Sequence, residues 1–189
     1  MIDNQCRSLL EKILTPVSKK IPSFISPDLI TLLGFIVTLF TAIAIVTNNY
    51  IIALILFISN RILDAFDGNV ARTKNIESKY GYIFDISSDF FTYSIIPICI
   101  AIQLGTKDAL LITSILLATY YVNSGIWTSL SKVTEPEAQG LVEGLETTIF
   151  YIAMIIFHTQ FVSIGILFVI LIIITIILRL VYLISTNIK

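Results

Sequence analysis

Leu29–Val46, LITLLGFIVTLFTAIAIV, runs eighteen residues without a charge, and Phe161–Leu178, FVSIGILFVILIIITIIL, does the same near the other end of the chain. A helix that crosses a bilayer needs about 20 mostly apolar residues. Runs this continuous are unlike the alternating segments of a membrane barrel strand. Between them, Ala109–Leu130 forms another charge-free run. Tyr50–Thr73, Tyr82–Gln103 and Leu145–His158 complete a set of six; the first two carry charges and the last is short. Six spans consume about 120 residues, which leaves loops and a leader but no soluble second domain. The expected fold is an all-α integral membrane protein, with six transmembrane helices over 27–189 preceded by an N-terminal amphipathic interfacial segment over 1–26.

Composition agrees. Of 189 residues 56% are hydrophobic and 13% charged, with a mean hydropathy of +0.92. A soluble domain carries about 45–50% apolar and about 25% charged residues, so this chain lacks the charge to clothe a water-facing surface. Intrinsic disorder, a fibrous repeat and a secreted disulfide scaffold are excluded. A net charge of −1, from 12 Lys+Arg against 13 Asp+Glu, offers no field for a nucleic-acid partner. Cys6 and Cys99 make no disulfide framework, and Cys99 reads as a small core residue.

Residues 1–26 lack the uninterrupted apolar core of a signal peptide. Ile2, Leu9, Leu10, Ile13 and Val17 instead recur at helical spacing opposite Arg7, Lys12, Lys19 and Lys20. That pattern suits a segment lying along a membrane surface, broken by Pro16, Pro22 and Pro27. With six spans, the leader, the 74–81 and 131–144 loops and the tail share one side. Together with the adjoining helix ends they hold every Lys and Arg except Lys107. The positive-inside rule then places both termini, and any polar site on that side, in the cytoplasm.

Aspartates stand where a membrane protein can least hold them. Asp64 and Asp67 are three residues apart, Asp85 and Asp89 four, so on helices each pair shares a face. Adjacent antiparallel helices would bring all four into one small volume. Ionised side chains at membrane depth cost about 2.5–3.5 kcal/mol each on insertion scales and normally face a functional cavity. Only Arg61 and Arg72 are near enough in sequence to compensate. Two divalent cations would neutralise four carboxylates. Oxygen ligands suit Mg²⁺, Mn²⁺ or Ca²⁺, and the lack of nearby His or Cys argues against zinc. A two-metal cluster with open positions serves phosphoryl chemistry, because it clamps attacking and leaving oxygens. Gly68 and Ala71 continue the stripe one turn beyond Asp64 and Asp67, and Gly81 precedes Asp85 by one turn. Small residues there let a helix or a ligand approach the backbone closely.

The stretch from Asp64 to Asp89 resembles the signature of the CDP-alcohol phosphotransferase family, D-x2-D-G-x2-A-R-x8-G-x3-D-x3-D. Asp64, Asp67, Gly68, Ala71, Arg72, Gly81, Asp85 and Asp89 fill every fixed position. The family's six-helix layout, with its N-terminal amphipathic segment, is similar too. Pro27-Asp28-Leu29-Ile30-Thr31 resembles the P-N-x-x-T opening of its first helix, with Asp28 departing from Asn. The resemblance implies metal-dependent transfer of a phospho-alcohol group from a CDP-linked donor to a hydroxyl acceptor, with release of CMP. By position it implies Asp64, Asp67 and Asp85 as metal ligands, and Asp89 as a ligand or as the base that takes the acceptor's proton. It also implies Gly68 and Ala71 beside the cytidine and Arg72 against the phosphates. Thr31, Asp64, Asp67 and Gly81 join them in the donor-binding set. The implied cofactor is Mg²⁺ or Mn²⁺, with two divalent ions, and the implied assembly is a homodimer in the lipid bilayer. Small size favours CDP-diacylglycerol as donor, by analogy, over a CDP-linked head group meeting diacylglycerol.

The acceptor is less legible. A phosphorylated alcohol wants basic residues such as Lys74, Lys79, Lys132 or Arg179 beyond Arg72; Arg179, near the end of the last helix, reads as snorkelling to the interface. Glu143 and Glu146, three apart at a helix start, either favour that helix N-terminus or bind a neutral polyol or an ammonium group. The latter reading points to an acceptor without a phosphate. Competing classes are an aspartate-rich membrane prenyltransferase, which would release pyrophosphate, and a cation transporter with an intramembrane carboxylate site.

Overall fold

The computed structural model describes residues 11–22, 24–130 and 140–185. After a helical stretch over residues 11–18, the described residues form α1 (Pro27–Val46), α2 (Tyr50–Lys74), α3 (Lys79–Leu104), α4 (Lys107–Leu130) and α5 (Gly144–Ile156). A 3₁₀ turn (His158–Gln160) then leads into α6 (Phe161–Ser185). The chain divides into two compact units, residues 1–99 and 100–189.

Local chemistry sets the helix limits. Ser26 caps α1, its side chain accepting from the Leu29 backbone N–H at 3.2 Å, with Pro27 in the first turn, where its missing N–H removes no helix bond. α2 ends where Asn75 takes φ 55°, a left-handed conformation that Asn tolerates, after Arg72 and Lys74 in the last turn. Thr106 caps α4 through its hydroxyl, which accepts from the Ala109 N–H at 3.2 Å.

Four stretches are long and apolar enough to cross a membrane: α1, α3, α4 and His158–Ser185. The two other expected spans fall short for different reasons. α2 has 25 residues, about 37 Å at 1.5 Å per residue. It is long enough, but Arg61, Asp64, Asp67, Arg72 and Lys74 lower its hydropathy. α5 has 13 residues and is short. Side-chain placement is inverted relative to a water-soluble bundle. Ile51 (78% exposed), Ile55 and Ile62 lie on the outside of α2, whereas Asn60, Asp67 and Asn69 are buried. So large an apolar exterior belongs in lipid.

In the first unit, Asn60 of α2 donates through Nδ2 to the Gly34 carbonyl at 2.9 Å and to Thr38 Oγ1 at 3.1 Å, both on α1. Thr38 in turn shares a 2.8 Å hydrogen bond with Thr92 of α3. A buried polar thread thus ties α1, α2 and α3 together, and Phe35 and Phe91 pack beside it with ring centroids 5.0 Å apart. Of the leader, residues 1–10 lie outside the described residues. Pro16 does not break the helix over 11–18, contrary to expectation. A proline removes only one backbone donor, and this segment is fastened by side chains. Ser18 donates to Asn69 Oδ1 at 2.7 Å, and Lys74 Nζ donates to the carbonyls of Ile21 and Pro22. Ile13 and Val17 face outward, exposed.

In the second unit, Phe168 of α6 stacks on Phe150 of α5 at 4.4 Å and meets Tyr151 edge-on. Thr175 Oγ1 accepts from the backbone N–H groups of Leu141 and Val142 at 3.2 and 3.1 Å, which seats the segment before α5 on α6. Arg179 does not snorkel. It is 3% exposed, hydrogen-bonded to Asn123 Oδ1 and stacked 4.9 Å from the Trp127 ring. A planar guanidinium can be buried where an amide oxygen and an aromatic face receive it.

Candidate active site

The first unit brings the motif residues together on the ends of α1, α2 and α3. A cavity of about 220 Å³ is lined by Thr31, Asp67, Gly68, Ala71, Arg72, Gly81 and Asp85, together with Pro27, Asp28, Ile76, Glu77, Ser78 and Tyr82. Helical period explains the grouping: Asp67, Gly68, Ala71 and Arg72 span little more than one turn of α2, and Gly81 and Asp85 are one turn apart on α3. The small residues do the shaping. A Cβ on Gly68 would stand 3.2 Å from an Arg72 guanidinium nitrogen, and one on Gly81 would stand 2.8 Å from Asp28 Oδ1.

Asp67 is 3% exposed, and its Oδ2 accepts from Thr31 Oγ1 at 2.6 Å. The short charge-assisted bond fixes the carboxylate rotamer. Asp64 and Asp89 do not line the cavity; they meet around Arg61. The Arg61 guanidinium donates to Asp89 Oδ1 at 2.7 Å and stands 3.6 Å from Asp64 Oδ2. Asp64 is also within interaction range of both Asp85 and Asp89. The four carboxylates therefore converge, in two adjoining pairs. Asp67 and Asp85 face the cavity, and Asp64 and Asp89 sit against the arginine.

The donor set suits a hard cation. It is all carboxylate oxygen, and Asp85 Oδ1 is buried without a hydrogen-bond partner. Among the described residues, no three Asp, Glu, His or Cys side chains already stand in a metal-holding arrangement. Here Arg61 supplies the compensating charge to two of the four.

Arg72 reaches Glu11 of the leader helix at 3.3 Å, both side chains being well exposed. Such a pair is worth little and is easily exchanged for another anion. Lys74 is taken up by the leader carbonyls, and Lys132 lies outside the described residues. The two glutamates singled out for the acceptor are in the second unit, where they form a reciprocal cap on α5. The Glu143 side chain accepts from the backbone of Glu146, and Glu146 Oε2 accepts from the Glu143 N–H at 3.2 Å. These are the bonds of a helix-start capping box.

Sequence reasoning missed Asn60 and Tyr93, which clamp Arg61, and Ser78, which borders the cavity from outside the motif and accepts from the Gly81 N–H at 2.9 Å. A Ser-Asn-Arg run, Ser59–Arg61, inside an otherwise apolar helix was the available signal for the first. Tyr93 carries no signal, because only the pairing of α2 with α3 reveals it.

Comparison with known proteins bears on the fold and on the family. The chain is 26% identical over 150 residues to the inner membrane protein YnjF of Escherichia coli (strain K12), covering 72% of each. It is 32% identical over 139 residues to cholinephosphotransferase 1 of Gallus gallus, covering 64% of this chain but only 41% of that enzyme. Its fold is shared by the phosphatidylinositol phosphate synthase of Mycobacterium tuberculosis with CDP-DAG bound (TM-score 0.73, 21% identity, 89% and 92% of the two chains covered). The same synthase in complex with manganese and citrate aligns with a TM-score of 0.70, at 21% identity over 88% and 87% of the chains. The sequence profile of the CDP-alcohol phosphatidyltransferase family matches residues 24–184. The chain therefore belongs to the CDP-alcohol phosphatidyltransferase family, and is an integral membrane transferase of phospholipid biosynthesis.

Proposed function

We propose that this enzyme transfers a phosphatidyl group from CDP-diacylglycerol to a small polar alcohol, releasing CMP, in a reaction that depends on divalent cations. The observation that carries this reading is the cavity itself, where two of the motif's carboxylates, its arginine and its three residues with little or no side chain meet. Its volume is below the ~300–1,000 Å³ of a typical small-molecule pocket, which suits part of the donor, the acyl chains lying in lipid.

Asp64, Asp67 and Asp85 would hold the cation, Mg²⁺ or Mn²⁺, and two ions would balance all four carboxylates. Bound there, the metal supplies charge neutralisation to the diphosphate. Arg72, releasing Glu11, adds a second positive group against the phosphates. Gly68, Ala71 and Gly81 let the nucleotide lie against the backbone, and Thr31 keeps Asp67 aimed. The acceptor oxygen attacks the lipid-side phosphorus in line, its proton passes to Asp89, and the bond from that phosphorus to the bridging oxygen breaks as CMP leaves. One P–O bond forms and one breaks.

The same reading makes α2 and α5 membrane crossings alongside the four apolar stretches, with the leader at the interface, both termini and the site cytoplasmic, and a homodimer in the bilayer. The lysine and arginine distribution supports the orientation. With Glu143 and Glu146 engaged in the α5 cap, no residue in hand selects between a neutral, a cationic and a phosphorylated alcohol.

Purified protein, incubated with CDP-diacylglycerol, Mn²⁺ or Mg²⁺ and a panel of alcohols, should release CMP with one alcohol and form the corresponding phospholipid. A chelator should abolish turnover and added metal should restore it. Pyrophosphate in place of CMP, or turnover untouched by the chelator, would overturn the reading.

A further inference from the structure

Arg72 stands between the leader helix and the cavity. Its guanidinium is folded back along α2, so close over Gly68 that a Cβ built there would lie 3.2 Å from Nη1 and 3.9 Å from Cζ. The arginine thus covers the bare backbone at Gly68, and both residues line the cavity. The other side of its fork meets Glu11, whose Oε1 is 3.3 Å from Nη2. Glu11 does not arrive there on a loose end. Glu11, Thr15 and Ser18 fall on one face of the leader helix. Ser18 donates to Asn69 Oδ1 at 2.7 Å, and Asn69 Nδ2 donates to Thr15 Oγ1 at 3.3 Å. Asn69 and Arg72 are themselves three residues apart, so the two helices meet along matching faces. Further on, Lys74 Nζ holds the carbonyls of Ile21 and Pro22. The bond from Ser18 to Asn69 is buried, whereas the pair of Glu11 with Arg72 is exposed. The fastening is firm and the contact it delivers is weak.

We infer that the leader helix is an autoinhibitory strap, which through Glu11 keeps Arg72 folded down over Gly68, on the ground that the donor's nucleotide needs. This rests on the proposed placement of CDP-diacylglycerol against Gly68 and Arg72. The donor enters as its diphosphate draws the guanidinium off Glu11 and so uncovers Gly68. A diphosphate can take both arms of an arginine fork, where Glu11 takes one, so the exchange favours the donor. An exposed ion pair shifts an equilibrium by no more than about fivefold. The strap therefore tunes donor affinity and does not shut the enzyme off.

The test measures equilibrium binding of CDP-diacylglycerol to the full-length protein in phosphatidylcholine nanodiscs with Mn²⁺, and CMP release on the same preparations. E11A should tighten donor binding by about two- to fivefold and lower KM for the donor equally, with kcat within about twofold of wild type. S18A, which removes a fastening and no charge, should shift the binding in the same direction and by no more than E11A does. The double variant E11A/S18A should gain nothing beyond E11A. R72Q should weaken donor binding, and E11A/R72Q should be no tighter than R72Q alone, because the strap acts only through that arginine. Weaker or unchanged donor binding in E11A overturns the inference. So does a gain that persists in the R72Q background, or that S18A does not share, since both mark a general effect of charge. If wild type fails to bind CDP-diacylglycerol, or binds it without releasing CMP with any alcohol, the transfer reaction falls instead.

Discussion

Thr31 and Gly81 border the same cavity and act on it in opposite ways, one by what its side chain offers and one by having none. The Thr31 hydroxyl holds Asp67 Oδ2 at 2.6 Å; a valine has the same shape and no donor. A hydrogen bond to a charged group is worth about 1.5–3 kcal/mol, so Thr31→Val should lower CMP release by roughly one to two orders of magnitude while the protein extracts and elutes like wild type. Steady-state kinetics with CDP-diacylglycerol would check this. At Gly81 a methyl group would press on Asp28 Oδ1 and on Ser78 Oγ at 3.0 Å. Both are side-chain ends that can swing aside, so Gly81→Ala should fold normally. It should raise KM for the donor more than it lowers kcat, which a donor titration would read. These positions were legible because the motif fixes residue types at fixed spacing. Arg179 was not: near a membrane helix end, snorkelling and burial present the same letters, and only Asn123 and Trp127, some fifty residues earlier, decide between them.

Among the elements, α5 and α6 show how a short helix is seated. Thr175 accepts two backbone N–H groups from the segment before α5, and Gly140 lies so close that a Cβ would overlap the Thr175 side chain. Thr175→Val would leave two backbone donors, that of Val142 buried, without a partner and should destabilise the protein by about 2 kcal/mol. Gly140→Ala should cost about 1–3 kcal/mol through overpacking. Removing the reciprocal cap with Glu143→Ala should cost about 1 kcal/mol. Thermal unfolding in detergent would rank the three, and the proposed chemistry of the first unit should be changed least by the cap variant. The sequence pattern foresaw the helix start at Glu143 but offered two uses for its carboxylates. In the structure both carboxylates engage the helix backbone, which lies within reach of a side chain three residues from its partner.

For the whole molecule, apolar periods read directly onto the chain. Four stretches expected to span do carry the length and hydropathy for it, because in lipid a continuous apolar helix has few alternatives. The boundary between the two compact units after Cys99 was invisible, since it falls inside α3, an unbroken helix. The proposed topology makes a direct prediction. In a variant lacking Cys6 and Cys99, a cysteine at Lys107 should react with a membrane-impermeant maleimide from outside the cell, and one at Asn75 only after permeabilisation. Labelling of both from one side would refute an odd number of crossings between them.

The buried thread from Thr38 through Asn60 to Arg61 also bears on how the protein is made. Taken alone, α2 would present a guanidinium and two carboxylates to hydrocarbon, at about 2.5–3.5 kcal/mol for each ionised group near the helix centre, and would partition back toward water. Asn60, Arg61 and Asp67 find partners on the helices immediately before and after it. A nascent chain halted at residue 76 should therefore leave α2 unstably inserted, whereas one extended through α3 should retain it. On the proposed topology, the side chains assigned to the chemistry would oblige three consecutive helices to enter the bilayer as a group.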